Sequence, residues 1–248
     1  MPSTHPENES RPVLFGVPVD NVTMEEALSA LDALVRRRSG FAAFANAHCF
    51  NIAYHDAQYR NILNRADAVW PDGSGIRLAG RICGFKVPDN VNGTDMFPLI
   101  CGKPYSIYML GAAPGVAEKA MENAAKRFPA AHFVGASPGF FADEDEERAV
   151  IGRINMLDPD VLLVAMGVPL QEKWIGRHLG ELKCGVAVAV GGLLDFVSGR
   201  IPRAPAWMRG CGIEWMYRLY QEPVRLFRRY IIGNPLFVFR VLFRRRNR

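Results

Sequence analysis

The sequence has few cysteines and histidines, and neither residue type is arranged for a disulfide or a metal. Its 248 residues include five cysteines without a C-x-x-C pair and five histidines without H-E-x-x-H spacing. A scattered, odd set of cysteines argues against a disulfide framework and a structural zinc site. Two D-x-D matches, at 143–145 and 158–160, lie at a helix start and in a turn, where carboxylates are usually solvated. We therefore expect reduced thiols and no metal or other cofactor.

A long hydrophobic run is also missing. The longest apolar stretch, YIIGNPLFVF at 230–239, has ten residues, whereas a helix that spans a bilayer needs about 20. The first residues, MPSTHPENESR, are polar and have no apolar core of a secretory signal. The sequence thus predicts a flexible tail at 1–11 and a cytoplasmic protein.

Positive charge is scarce except at the C-terminal end. Residues 218–248 contain nine arginines and one acidic residue, a balance of +8 within a total of +5, so residues 1–217 carry about −3. A nucleic-acid-binding domain more often spreads its basic residues over a folded face. We therefore expect no nucleic-acid partner.

Short apolar runs alternate with amphipathic stretches up to Gly199. FAAFAN, ADAVW, YSIYML, DVLLVAMG and VAVAVGG are typical of buried strands. VTMEEALSALDALVRRR predicts a helix whose capping box is formed by Thr23 and Glu26. This alternation is typical of βαβ units. We predict an α/β, Rossmann-like domain over 12–199, with a mainly parallel sheet flanked by helices and an extended pair, RPVLFGVPV, at the sheet edge.

Several predicted strands end in small or polar residues, where ligands bind in open α/β sheets. These ends include the GAAPG loop, with Gly111 and Gly115, the GVP turn at Gly167 and the GG pair at Gly191. Glycines let an anionic group approach the backbone, and helix N-termini favour negative charge. The G-x-G-x-x-G fingerprint is missing. The loops therefore predict some anionic ligand and give little support to NAD.

Polar residues beside these loops have both a functional and a structural interpretation. Gln171 and Glu172 could enter the cleft as donor and acceptor for a uracil or a sugar hydroxyl, or Glu172 could simply cap a helix. Thr94 and Asp95 in VNGTDMF are further candidates for substrate binding, as is Asp195 in VGGLLDF. Both Asp95 and Asp195 could instead be N-caps.

The composition changes after Gly199. The Pro-rich segment GRIPRAPAW precedes predicted helices with arginines beside an apolar stripe, which comprises Phe227, Tyr230, Ile231, Phe237, Val238, Val241 and Leu242. This pattern favours a helix that lies on an anionic membrane surface. The alternative is a helix packed on its own domain or on a second subunit. We predict a membrane-associating appendage at 200–248 and leave a homo-oligomer open.

Six segments resemble the WecG/TagA/CpsF family of glycosyltransferases in order and approximate spacing. They are ADAVWPDGSGI, VNGTD, GAAPGVAEKA, GVPLQEKW, GGLLDFVSGRIPRAPAW and IEWMYRLYQEPVRLFRR, which together span about 12–230. The resemblance implies a Rossmann-like domain with a C-terminal appendage that supports membrane association and completes the site. It also implies an inverting transfer of a sugar from a UDP-sugar to a polyprenyl-diphosphate-linked saccharide, in bacterial cell-surface or exopolysaccharide biosynthesis at the inner face of the membrane.

The resemblance assigns the catalytic base to Asp72 and a substrate-binding position to Asn46. Without it, Asp72 in PDG is more simply a turn residue. The acceptor hydroxyl must lose a proton as it attacks, and a carboxylate can take it. The leaving diphosphate needs cations, for which we predict Arg203, Arg218 and Arg225.

Three departures from the family pattern leave the donor sugar open. Phe44, Asn90 and Leu170 stand where many members have Thr, Arg and Lys. Arg and Lys are natural partners of a diphosphate or a uronate. Two other functions are alternatives: a membrane-surface module that binds a nucleotide sugar without turnover, and an NAD-dependent oxidoreductase.

Overall fold

A computed structural model describes residues 11–38 and 40–246, the last three without their side chains. The predicted tail at 1–11 therefore lies outside the described residues, apart from Arg11.

The chain forms a short antiparallel hairpin and a six-stranded sheet whose pairings are all parallel. The strands are β1 Val13–Leu14, β2 Val17–Pro18, β3 Gly40–Ala45, β4 Ala68–Pro71, β5 Ser106–Gly111, β6 His132–Ser137, β7 Val161–Ala165 and β8 Val186–Ala189. Their order in the large sheet is β4-β3-β8-β7-β5-β6.

Helices connect the strands and cover both faces of the sheet. In the sheet domain they are α1 Met24–Arg37, α2 Ala47–His55, α3 Ala57–Asn64, α4 Ser74–Cys83, α5 Gly93–Cys101, α6 Val116–Arg127, α7 Glu144–Leu157, α8 Leu170–His178 and α9 Leu193–Val197. The appendage contains α10 Ala206–Gly210, α11 Glu214–Gln221, α12 Pro223–Phe227, a π-helical segment Arg228–Ile232 and α13 Gly233–Arg246. The predicted Rossmann-like α/β class is confirmed.

The core lies on both faces of the sheet, which explains why the strands are continuously apolar. Every residue of β3, β7 and β8 is buried. One face packs Phe41 and Leu162 with helices α2, α3 and α8, and the other packs Trp70 and Met109 with α1, α5 and α6. Side chains that alternate between two covered faces must all be apolar.

Two local predictions near the N-terminus are confirmed. Thr23 accepts the N–H of Glu26, and the Glu26 side chain accepts the N–H of Thr23, so the capping box starts α1. The extended pair is the β1–β2 hairpin. It leads to Asp20, whose carboxylate accepts the N–H of Val69 in the edge strand β4 at 2.6 Å.

The C-terminal helix packs on its own domain through part of its apolar stripe. Phe237 and Val241 of α13 are 1% and 0% exposed and join the core beneath α2 and α4. Phe227, Ile231 and Leu242 are 51%, 42% and 47% exposed. The predicted stripe is therefore divided between an intramolecular contact and the surface. No helix within the described part of the chain is long and apolar enough to span a bilayer.

Candidate active site

Asp72 follows β4 at the carboxyl edge of the sheet. Its backbone N–H donates to the carbonyl of Ala45 at 3.0 Å, and the next N–H, of Gly73, donates to Asn90 Oδ1 at 2.5 Å. The Asn46 side chain donates from Nδ2 to Asp72 Oδ2 at 3.2 Å. The structure thus brings together the two residues that the resemblance selected as base and substrate-binding group.

Asn46 suits this position because it performs two tasks. As the N-cap of α2, its Oδ1 accepts the N–H groups of His48 and Cys49 at 3.1 and 3.4 Å. These donors fix the amide orientation, so Nδ2 faces Asp72. An aspartate here would cap the helix equally well but would place a second negative charge beside the first.

The surroundings of Asp72 tune its proton affinity. Burial raises the pKa of Asp72 above its usual value. The hydrogen bond from Asn46 and the charges of Arg229 and Arg218 act in the opposite direction, while the charge of Asp95 adds to the rise. A carboxylate with a raised pKa accepts a proton more readily, which suits a general base.

Asp95 forms the acidic rim opposite Asp72, and it is not a helix N-cap. The cap of α5 is Asn92, which accepts the N–H of Asp95 at 2.9 Å and donates to its carboxylate at 2.7 Å. The carboxylate is also ion-paired with Arg203 at 2.7 Å and with Arg209 at 3.6 Å. Thr94, the neighbouring residue, is half-buried in the first turn of α5.

The appendage lies directly against this edge of the sheet. Besides the Arg203–Asp95 ion pair, the Ser74 hydroxyl, two residues after Asp72, donates to the carbonyl of Gly212 at 3.2 Å. Glu214 at the start of α11 lies 3.9 Å from Arg203 Nε. Burial raises the pKa of Glu214; the charge of Arg203 lowers it and that of Asp72 raises it. A third carboxyl group therefore belongs to the site.

Four arginines of the appendage retain unused donors beside these acids. The Nε atoms of Arg203, Arg209, Arg218 and Arg229 are buried and have no hydrogen-bond acceptor among the described residues. Buried polar atoms are normally paired. A cluster of guanidinium groups can hold an anionic ligand, and a diphosphate matches their fork geometry.

Arg218 and Arg229 both lie close enough to Asp72 to influence its pKa. The Arg218 guanidinium lies 5.0 Å from the centre of the Phe196 ring. Burial, together with the charge of Arg229, lowers the pKa of His48 to about 4, so this imidazole is neutral at pH 7. The structure places Arg225 differently from the other arginines: it is ion-paired with Glu222 and its side chain is 57% exposed. Arg229, rather than Arg225, lies close enough to influence Asp72.

The predicted glycine positions divide into two kinds. At Gly111, with φ at +144°, a Cβ would lie 2.4 Å from the Ala165 carbonyl oxygen, so the close contact of β5 with β7 explains this glycine. Gly115, Gly167 and Gly191 also have positive φ, but nothing lies within 4 Å of the Cβ position. Their backbones face open space at the ends of β5, β7 and β8.

Gln171 and Glu172 do not enter the cleft as expected. They are 1% and 0% exposed. Gln171 Oε1 accepts the N–H groups of Gly167 at 3.2 Å and Gly191 at 3.0 Å. The physical reason for the difference is that these two strand-end N–H groups need a buried acceptor, which Gln171 provides.

Asp195 lies in the first turn of α9, but the N-cap of that helix is Gly192. The Asp195 carboxylate is ion-paired with Arg200 at 3.2 Å and is 15% exposed. In the described ranges, no group of three or more His, Cys, Asp or Glu side chains is placed to hold a metal ion. Metal independence stays a prediction.

Sequence reasoning did not select His48, Asn92, Arg209 or Glu214 for the site. Two of them carried a signal. Asn92 lies three residues before Asp95, which is the spacing of a side-chain cap. Glu214 is an acidic residue in a basic segment, and this position indicates an interaction with the neighbouring arginines.

The fold and this edge define the class: an α/β protein with an acidic and arginine-rich edge at the carboxyl ends of parallel strands, where ligands bind in such folds. The chain belongs to the glycosyl transferase WecG/TagA/CpsF family, whose profile matches residues 12–248. This match confirms the resemblance of the six segments.

Three relatives illustrate the similarity. Proteins of Bacillus spizizenii (strain ATCC 23059 / NRRL B-14472 / W23) and Bacillus subtilis (strain 168) are each 30% identical to this chain. The first aligns over 84% of the chain and 81% of its own length, the second over 79% and 76%. A protein of Staphylococcus aureus (strain MW2) is 29% identical over 94% of the chain and 93% of its own length. Each is named N-acetylglucosaminyldiphosphoundecaprenol N-acetyl-beta-D-mannosaminyltransferase.

Proposed function

We propose that this protein is an inverting glycosyltransferase that moves a sugar from a UDP-sugar to a polyprenyl-diphosphate-linked saccharide. The relatives' names make N-acetylmannosamine the first donor sugar to test and N-acetylglucosaminyl-diphosphoundecaprenol the first acceptor. The observation that carries the proposal is the convergence of Asp72 and Asp95 with four arginines of the appendage, Arg203, Arg209, Arg218 and Arg229.

Asp72 acts as the general base. The acceptor hydroxyl oxygen attacks the anomeric carbon of the donor while its proton passes to the Asp72 carboxylate. The bond from that carbon to the diphosphate oxygen breaks, and its electron pair leaves with UDP. Asn46 holds the carboxylate through Nδ2. A positioned base of this kind contributes roughly 10² to 10⁴ in rate.

The appendage arginines stabilise the departing diphosphate. Arg203 and Arg209 contact Asp95, and Arg218 and Arg229 influence Asp72. Fixed cations aimed at a developing charge stabilise a transition state in the way that a metal ion would. The open glycine loops at Gly115, Gly167 and Gly191 lie along the same strand edge and provide room for the donor.

The other positions selected from the sequence fit this proposal less directly. Thr94 and Asp195 border the same strand ends, and Gln171 shapes the loops from within. Arg225 reaches a diphosphate only if its ion pair with Glu222 opens.

We further propose that the enzyme is a peripheral protein on the inner, anionic face of the cell membrane. The α12–α13 region exposes large apolar side chains next to arginines. The exposed fractions are 94% for Val224, 52% for Ile232, 55% for Phe239 and 48% for Phe243. Such a surface binds the headgroup region without spanning it. It would bring the site to a lipid-linked acceptor.

The test is a panel of UDP-sugars incubated with N-acetylglucosaminyl-diphosphoundecaprenol, with released UDP as the readout. UDP release that needs both substrates and is lost in Asp72→Asn supports the proposal. UDP-sugar binding without turnover would instead indicate a binding module, and a nicotinamide difference spectrum would indicate an oxidoreductase.

A further inference from the structure

The buried side chains of Gln171 and Glu172 connect the loops that follow β7 and β8. Gln171 Oε1 accepts both glycine N–H groups, of Gly167 after β7 and of Gly191 after β8. Gln171 Nε2 donates to Glu172 Oε1 at 2.9 Å. If the amide were reversed, its NH₂ group would face two N–H donors, so the network allows only this orientation. Glu172 Oε1 therefore holds the other end of the amide.

Glu172 is a carboxyl group without a cationic partner in the described part of the chain. It is 0% exposed, its Oε1 accepts from a neutral amide, and its Oε2 has no hydrogen-bond partner among the described residues. The titratable groups that it influences are the Cys49 thiol on α2 and the Tyr59 hydroxyl on α3. Burial raises the pKa values of the thiol and the hydroxyl, an ionised Glu172 raises them further, and Arg229 in the π-helical segment lowers them. A buried, unpaired carboxylate is costly, whereas the protonated acid is tolerated.

The loops that this pair holds border the open edge of the sheet. The Cβ positions of Gly167 and Gly191 have nothing within 4 Å. A methyl group built on the next residue, Gly192, would lie 3.3 Å from the Arg218 guanidinium. A change in the spacing of the two loops would therefore reach both the open cleft and one of the arginines.

We propose that Glu172 is a positioning residue: as an uncharged carboxylic acid it fixes the Gln171 amide, which holds the Gly167 and Gly191 loops at the spacing that the donor requires. The consequence for donor binding rests on the proposed function, whereas the consequence for the two loops does not. Glu172 itself contacts no substrate in this arrangement.

The test compares three variants of the full chain. Glu172→Gln keeps the shape and the acceptor oxygen and is permanently neutral. Glu172→Leu keeps the approximate volume and removes the hydrogen bond. Glu122→Gln, on the exposed face of α6, is the matched control. The readouts are hydrogen exchange of the Gly167 and Gly191 amides by NMR, and kcat and donor KM measured separately.

At pH 6, where Glu172 is mostly uncharged, we expect Glu172→Gln to match the wild type and the control within about twofold in both readouts. Glu172→Leu should exchange the two glycine amides about tenfold faster, with the core amides of β8 unchanged, since one net hydrogen bond is lost. Its donor KM should rise about tenfold with kcat nearly unchanged. Unaltered exchange in Glu172→Leu, or an equal defect in Glu172→Gln, would overturn the proposal.

The pH dependence gives a measurement that does not require Glu172→Leu to fold. Burial raises the pKa of Glu172 to about 7, so the wild type ionises there and Glu172→Gln cannot. The ratio of wild-type to Glu172→Gln exchange at Gly191 should rise between pH 6 and 8.5. A constant ratio would refute the positioning role. If the loops respond as expected but no sugar is transferred, the proposed function fails and the positioning role stands.

Discussion

The sheet domain and the appendage differ in how their structure is held. In the sheet domain, the inner strands are buried on both faces, and five of the nine helices described there start with a side-chain cap, from Thr23, Asn46, Asp56, Asn92 and Asp143. In the appendage, no side-chain cap hydrogen bond forms at the starts of α10, α11 and α12. Most of the exposed large hydrophobic side chains of the described residues also belong to the appendage. The appendage is therefore held by its neighbour rather than by a core of its own.

The sheet domain and the appendage also contribute different side chains to the site. The sheet domain provides Asp72 after β4 and Asp95 in the first turn of α5, while the appendage provides the arginines and Glu214. Rigid elements position a base accurately, and a segment with little core of its own can move relative to them. The comparison predicts that variants of the two parts will fail in different ways.

The largest effect is expected from Asp72→Asn, which removes the proposed base of the sheet domain and leaves the appendage unchanged. Transfer should fall by roughly 10² to 10⁴ because the base is lost. The fold should persist, since an amide oxygen still accepts the hydrogen bond from Asn46. UDP release at saturating substrates and far-UV circular dichroism measure the two quantities. A variant that keeps most of its rate would remove Asp72 from the mechanism.

Phe237→Ala should next break the attachment of the appendage. Phe237 is 1% exposed and packs edge-on against Phe15, with ring centroids 5.9 Å apart. Removing a buried phenylalanine costs about 3–5 kcal/mol of unfolding free energy. Phe239→Ala is the matched control, since Phe239 is 55% exposed on the same helix. Equal urea midpoints for the two variants would show that α13 does not pack as described.

Glu172→Gln should change how stability depends on pH. Because the pKa of Glu172 is about 7 in the folded protein and 4.5 is its ordinary value, the folded state keeps a proton that the unfolded chain has lost between these values. The unfolding free energy of the wild type should therefore fall by about 3 kcal/mol as pH rises through this window. Urea unfolding at pH 5 and pH 7.5 should show this fall relative to Glu172→Gln. If the unfolding free energies of the two proteins change in parallel with pH, the Glu172 carboxyl group is ionised in both the folded and the unfolded state.

Phe239→Ala also tests whether the appendage, and not the sheet domain, binds the membrane surface. Losing this exposed ring should weaken binding to phosphatidylglycerol vesicles by about tenfold, from the apolar area that it would bury. Met156→Ala, an exposed apolar residue of the sheet domain, should leave binding unchanged. Co-sedimentation measures both. Equal binding by the three proteins would place the membrane contact elsewhere.

The sequence predicted the sheet domain well because local signals there agree with the fold. Continuous apolar strands, the Thr23 capping box and polar residues after strands all depend on near neighbours in the chain. The appendage was harder to predict. Its apolar stripe fits both a membrane and a core, and only the tertiary contacts of Phe237 and Val241 show which residues are inside.

Within the site, the family resemblance selected Asp72 and Asn46, which lie in hydrogen-bond contact, whereas some of the surrounding residues lie elsewhere than predicted. Gln171 was expected in the cleft because its role as acceptor for the backbone N–H groups of two different loops has no sequence signature. Arg225 and Arg229 cannot be distinguished by composition, since the path through the π-helical segment decides which of them faces Asp72. Which charged residues from distant parts of the sequence lie close together can be determined only from the folded chain.

The most direct test is the pH dependence of kcat/KM for transfer in the wild type, in Arg229→Gln and in Asp95→Asn. Arg229 lowers the pKa of Asp72 and Asp95 raises it. The rising limb, which reports the base in the free enzyme, should therefore move to higher pH in Arg229→Gln and to lower pH in Asp95→Asn. Limbs that stay in place in both variants would contradict the claim that the appendage and the sheet edge form one active site.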